Sequence, residues 1–127
     1  MALPRILHVD DDEDILQISL IALHTLGGLD VVQCSSGREA LSVVQTVKPD
    51  LFLLDFMMPE MTGEDTLIAF RRIPEFSKTP VIFMTAKSQS SDLKKFHELG
   101  ALDVILKPFD VMLLSRTIID VWNKNCG

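Results

Sequence analysis

Five short apolar runs alternate with stretches of helical periodicity along this chain. Ile6-Leu7-His8-Val9, Leu51-Phe52-Leu53-Leu54 and Val81-Ile82-Phe83-Met84 lack the alternation of half-exposed strands and read as strands buried on both faces. Val31-Val32-Gln33-Cys34 and Val104-Ile105-Leu106 complete the set. After the first run, Ile15, Leu16, Ile18, Leu20, Leu23 and Leu26 recur at helical spacing, and Gly27-Gly28 supplies a stop. Ser36-Gly37-Arg38-Glu39 reads as a capping box opening a second helix that runs to about Val47, ahead of Pro49. The third strand extends to Asp55, and Met57 through Gly63 is a loop punctuated by Pro and Gly, with a third helix over roughly Glu64 to Arg72. Pro74 and Pro80 bracket the next loop, and Ser88 to Ser91 offer caps for a fourth helix ending near Leu99-Gly100. Pro108 takes the chain out of the last strand, and Asp110 is the expected cap of a helix reaching about Lys124. This alternation predicts an α/β fold built on a parallel sheet.

A length of 127 residues suits one compact domain, and 47% hydrophobic against 24% charged residues, mixed rather than in blocks, argues against disorder. The apolar runs are far shorter than the roughly 18 residues of a membrane span, and the N-terminus lacks a signal-peptide pattern, so a soluble cytoplasmic protein is expected. A net charge of −6 with basic residues only in pairs, Arg71-Arg72 and Lys94-Lys95, speaks against direct nucleic-acid contact, which needs clustered cations. Cys34 and Cys126 have no metal-ligand spacing; Cys34 reads as core filler and Cys126 as an exposed tail thiol.

The chemistry gathers where the runs end. Asp10-Asp11-Asp12, Asp55, Thr85 and Lys107 each follow an apolar run, and in open parallel sheets ligands bind beyond the carboxyl ends of the strands. Adjacent carboxylates repel unless a proton or cation intervenes, which points to a hard divalent metal, with magnesium the natural candidate. Lys107 suits one phosphoryl oxygen as a point charge, the Thr85 hydroxyl a second and the Ala86 backbone N–H a third. Asp55 suits metal ligation or nucleophilic attack on phosphorus, two compatible roles. Three consecutive Asp residues leave the register open by one place, and Asp12 is a candidate helix cap.

These residues carry a resemblance to the receiver domain of two-component response regulators. Val9-Asp10-Asp11-Asp12-Glu13 looks like its acidic motif, and the stretch from Pro49 through Asp55 to Gly63 looks like its phosphoacceptor segment. Pro80-Val81-Ile82-Phe83-Met84-Thr85-Ala86-Lys87, Leu99-Gly100-Ala101 and Lys107-Pro108-Phe109 add three motifs in order. The resemblance implies that residues 1–127 form one receiver domain with a doubly wound five-stranded parallel sheet, order 2-1-3-4-5, a flavodoxin-like architecture. It implies phosphoryl acceptance on Asp55 from a phosphohistidine of a sensor kinase or phosphotransfer protein. Mg2+ would be held by Asp11, Asp55 and the Met57 backbone carbonyl, with Asp10 coordinating directly or through water. Thr85 and Lys107 would hold the phosphoryl group, and the Lys107-Pro108 bond would be cis. The implied role is signalling rather than enzymatic turnover, assisted by the chain's own residues.

The same resemblance places an unidentified downstream protein, or a second copy of the chain, on the face of helix 4, strand 5 and helix 5, with Val104, Pro108 and Phe109 in the switch region. Val104 stands where the family usually has an aromatic, and the chain has no Tyr, so a weaker or differently read switch is expected. Met57 and Lys87 occupy positions that modulate phosphoryl loss; apolar Met57 cannot position a water by hydrogen bonding, so no unusually fast dephosphorylation is expected. Phe56, Met58 and Met61 are candidates for kinase contact or local packing, and Phe96 for the core. The alternative is a degenerate receiver acting as a phosphorylation-independent interaction module. A magnesium-dependent phosphatase would need an acid-base Asp where Met57 stands, and a flavin or nucleotide site a Gly-rich or hydroxyl-rich loop where the acidic run stands.

Overall fold

The computed structural model describes residues 3–86 and 90–126, apart from the side chains of 90–92; Lys87 and the Ser88 to Ser91 cap lie outside that description. Strands β1 (Arg5–Val9), β2 (Asp30–Cys34), β3 (Leu51–Asp55), β4 (Val81–Thr85) and β5 (Asp103–Leu106) pair in parallel in the order β2-β1-β3-β4-β5. They alternate with helices α1 (Glu13–Leu20), α2 (Gly37–Val47), α3 (Gly63–Arg71), α4 (Ser90–Glu98) and α5 (Leu114–Asn125). The run pattern predicts the parallel α/β sheet, and the resemblance implies this doubly wound order, which the structure shows. Among the described residues no helix is long and apolar enough to cross a membrane.

Strand parity divides the core in two. Leu7, Val9, Phe52, Leu54, Val81 and Phe83 face α2, α3 and α4, where Phe52 stacks on Phe70 with ring centroids 4.2 Å apart. Phe96 is buried there against Phe56 (4.6 Å) and Phe83 (5.3 Å), and Met58 and Cys34 belong to the same cluster. Ile6, Leu51, Leu53, Ile82, Met84 and Ile105 face the other way, toward Ala22, Leu23, Leu114 and Ile118.

Local detail departs from expectation at four helices. The first helix stays α-helical only to Leu20 and continues as a π-helical segment, Ile21–Leu26. The wider turn accompanies burial of Ala22 and Leu23, while Ile18, Leu20 and Leu26 from the apparent stripe are 40%, 39% and 52% exposed. The last helix starts at Leu114 rather than after Asp110. The Asp110 carboxylate instead accepts the Met112 N–H at 2.8 Å, closing a turn, and the helix begins where Leu114 and Ile118 can reach the sheet. At α2, Ser36 Oγ accepts the Glu39 N–H (3.0 Å), but Glu39 reaches back to the Ser35 N–H (2.7 Å), one residue before the cap. A fully reciprocal box lies instead at Thr62 and Asp65, each side chain accepting the other's N–H at 3.1 Å, which starts α3 within the stretch expected to be loop.

Candidate functional site

Asp10, Asp55 and Lys107 follow the same strand parity as Ile6, Leu53 and Ile105, so the chain delivers them from one face of the sheet at its carboxyl edge. Thr85 closes β4 with the opposite parity, on the other side of the same edge. They converge on a cleft of about 350 Å3 lined by Asp10, Asp11, Asp12, Asp55, Met57, Thr85, Ala86 and Lys107.

Lys107 crosses the cleft. Its Nζ donates to Asp10 Oδ2 at 2.7 Å and to Asp55 Oδ1 at 3.2 Å. Asp10 and Asp55 are both buried, whereas Asp11 is exposed. Asp10 Oδ1 also accepts the Asp12 N–H (2.9 Å), and Asp12 Oδ1 caps α1 by accepting from Asp14 (2.9 Å) and Ile15 (3.4 Å). The acidic run thus divides its work: Asp10 and Asp11 turn to the cleft and Asp12 to the helix. The Lys107-Pro108 peptide is cis.

The electrostatics follow from crowding. Burial, then the neighbouring Asp10 charge, push Asp55 up to about 7, against the opposing pull of Lys107. Burial works against the charge on Lys107, but its hydrogen bond to Asp10 and the charges of Asp10 and Asp55 outweigh that, and its pKa lies above the ordinary value. Carboxylate oxygens of Asp10, Asp11 and Asp55 lie within 4.8 Å of one another. Three hard oxygen donors, crowded enough to hold a proton near neutrality, fit a small divalent cation such as magnesium. Met57 is 57% exposed at the rim, and Met58 is packed in the core rather than presented.

One residue of this neighbourhood was passed over in the sequence. His8 lies in β1 two residues before Asp10, fully buried, and burial followed by the Lys107 charge lowers its pKa to about 3. The available signal was a single imidazole inside the apolar run from Ile6 to Val9.

The family model described as the response regulator receiver domain matches residues 6–119. The DNA-binding response regulator MtrA of Mycobacterium tuberculosis is 39% identical over 105 residues, 83% of this chain and 44% of that protein. The alkaline phosphatase synthesis transcriptional regulatory protein PhoP of Bacillus subtilis is 38% identical over 105 residues, 83% of this chain and 42% of that protein. The chain therefore spans less than half the length of these curated relatives. The solved structure of the chemotaxis protein CheY4 of Vibrio cholerae matches with a TM-score of 0.86 at 30% identity, covering 94% of this chain and 99% of that one.

Proposed function

We propose, since this chain belongs to the response regulator receiver domain family, that residues 1–127 act as one receiver domain in which Asp55 accepts a phosphoryl group from a phosphohistidine. The donor would be a sensor kinase or a histidine phosphotransfer protein. The observation that carries this is the Lys107 ammonium spanning Asp10 and Asp55 in a cleft that Thr85 also lines.

An Asp55 carboxylate oxygen attacks phosphorus, the donor's P–N bond breaks, and its electron pair returns to the departing imidazole. The transferring group has diffuse charge, so the chain contributes position and compensating charge. Lys107 exchanges Asp10 for one phosphoryl oxygen, the Thr85 hydroxyl donates to a second and the Ala86 N–H to a third. Asp10, Asp11, Asp55 and the Met57 carbonyl are the groups to hold magnesium, which when bound offsets the carboxylate charge and supports a phosphoryl oxygen. The domain assists its own phosphorylation and dephosphorylation.

The output surface in this reading is the α4, β5 and α5 face, where a downstream protein or a second copy would dock. Val104 lines a groove of about 290 Å3 there, with Phe96, Ala101 and the exposed Leu93 and Leu106. Val104 in place of an aromatic also favours a second reading, a degenerate receiver that binds partners without phosphorylation. Intact mass after incubation with acetyl phosphate separates the two. The first reading expects a magnesium-dependent gain of one phosphoryl group that Asp55→Asn abolishes; no gain where a control receiver is labelled would favour the second.

A further inference from the structure

Among the described residues, two buried side-chain atoms lack a hydrogen-bond partner, His8 Nε2 and Ser19 Oγ. An unpaired polar group in a core is destabilising, and an aliphatic residue would fill β1 without that cost. The imidazole is held from the neighbouring strand. Gln33, the register partner of His8 in β2, places Nε2 at 3.3 Å from His8 Nδ1 and at 2.7 Å from the Leu16 carbonyl oxygen in α1. A carbonyl only accepts, so the amide nitrogen is at that end; an amide nitrogen only donates, so His8 Nδ1 accepts and the ring proton sits on Nε2. A polar chain thus runs from α1 through Gln33 to His8. It ends on the sheet face shared by Asp10 and Lys107, two residues along β1 from the carboxylate that Lys107 holds at 2.7 Å.

We propose that His8 is a positioning residue for phosphoryl acceptance: its Nε2–H tautomer, fixed by Gln33, sets a polar ring on the sheet face of Asp10, two residues before it, and keeps the Lys107–Asp10 pair exchangeable. An ammonium–carboxylate pair tightens as its surroundings lose polarity. An aliphatic side chain at position 8 would hold Nζ on Asp10 and slow its move to an incoming phosphoryl oxygen. The inference rests on Asp55 being the phosphoacceptor.

The test compares wild type, His8→Leu and Gln33→Leu in three measurements: 15N NMR of the His8 ring in wild type, magnesium affinity by calorimetry, and labelling rate with acetyl phosphate at saturating magnesium. In that labelling, Asp55 attacks phosphorus and the P–O bond to the acyl group breaks, its electron pair leaving on acetate. The expected result is an Nε2–H ring, labelling slowed by about threefold or more in His8→Leu and by less in Gln33→Leu, and magnesium affinity within about twofold throughout. An Nδ1–H ring, a wild-type rate in His8→Leu, or slowing matched by an equal loss of magnesium affinity overturns the proposal while Asp55 remains the acceptor. If thermal melts show His8→Leu unfolded, the Gln33→Leu rate decides, and a wild-type value there overturns it. Absence of labelling in wild type removes the phosphoacceptor reading and this proposal with it.

Discussion

At the scale of single residues, the crowded position of Asp55 makes stability depend on pH. Its pKa near 7 in the fold, against 3.8 for an ordinary Asp, means that between about pH 4 and 7 the folded state binds more protons than the unfolded chain. Stability therefore falls as pH rises through that window. Asp55→Asn removes the crowded charge and should stabilise the magnesium-free protein by about 1–2 kcal/mol at about pH 8, a few degrees in Tm, with little effect at about pH 3.5. A lower midpoint for the variant at about pH 8 would contradict this account. Because a cation needs the ionised carboxylate, apparent magnesium affinity should weaken as pH drops below about 7, which calorimetry across pH would show. Met57, exposed and apolar at the rim, should matter little for hydrolysis: the phosphoryl lifetime in Met57→Ala should stay within about twofold of wild type. Cys34 carries no such chemistry. Burial, then the Glu39 charge and hydrogen bond, push its thiol up to about 11, consistent with filler in the core.

At the scale of elements, the approach of α3 to β3 depends on one missing side chain. A Cβ at Gly63 would collide with the Asp55 carbonyl oxygen and lie 2.9 Å from Phe56 Cα, and the Gly63 N–H donates to the Phe56 carbonyl at 3.0 Å. Gly63→Ala should therefore displace the end of the strand that bears Asp55, costing about 1–3 kcal/mol and slowing phosphoryl acceptance together. Denaturant midpoints and labelling rates would show it, and wild-type values of both would refute it. Strand positions were legible because two-sided burial leaves unbroken apolar runs in the sequence. Helix ends were less so. Thr62 with Asp65 and Ser36 with Glu39 both offer a hydroxyl three residues before a carboxylate, yet only the first closes reciprocally, because loop geometry decides which N–H lies within reach. Asp110 met the same limit, since a carboxylate after Pro suits a turn and a helix start equally well.

At the scale of the molecule, the sheet order puts β1 beside β3 at the centre and brings β5 round to complete the site. If the domain switches, remodelling should follow the path from Thr85 to the α4, β5 and α5 face, with Val104 moving little because it has no ring to turn inward. Structures with and without a beryllium fluoride phosphoryl mimic should therefore differ on that face, and superimposable ones would reject a switch there. The sequence by itself determined the strands, the fold class and the residue types at the strand ends, because periodicity, caps and breakers act within a few positions. It left the register of the three Asp residues open by one place, with Asp12 only a candidate cap, and His8 looking like one more strand residue. Only the tertiary structure decided that Asp10 takes the Lys107 ammonium across 97 positions of chain, that Asp12 caps α1, and that Gln33 orients His8. Those choices depend on strand order and on which face each side chain meets, and these exist only once distant segments have packed.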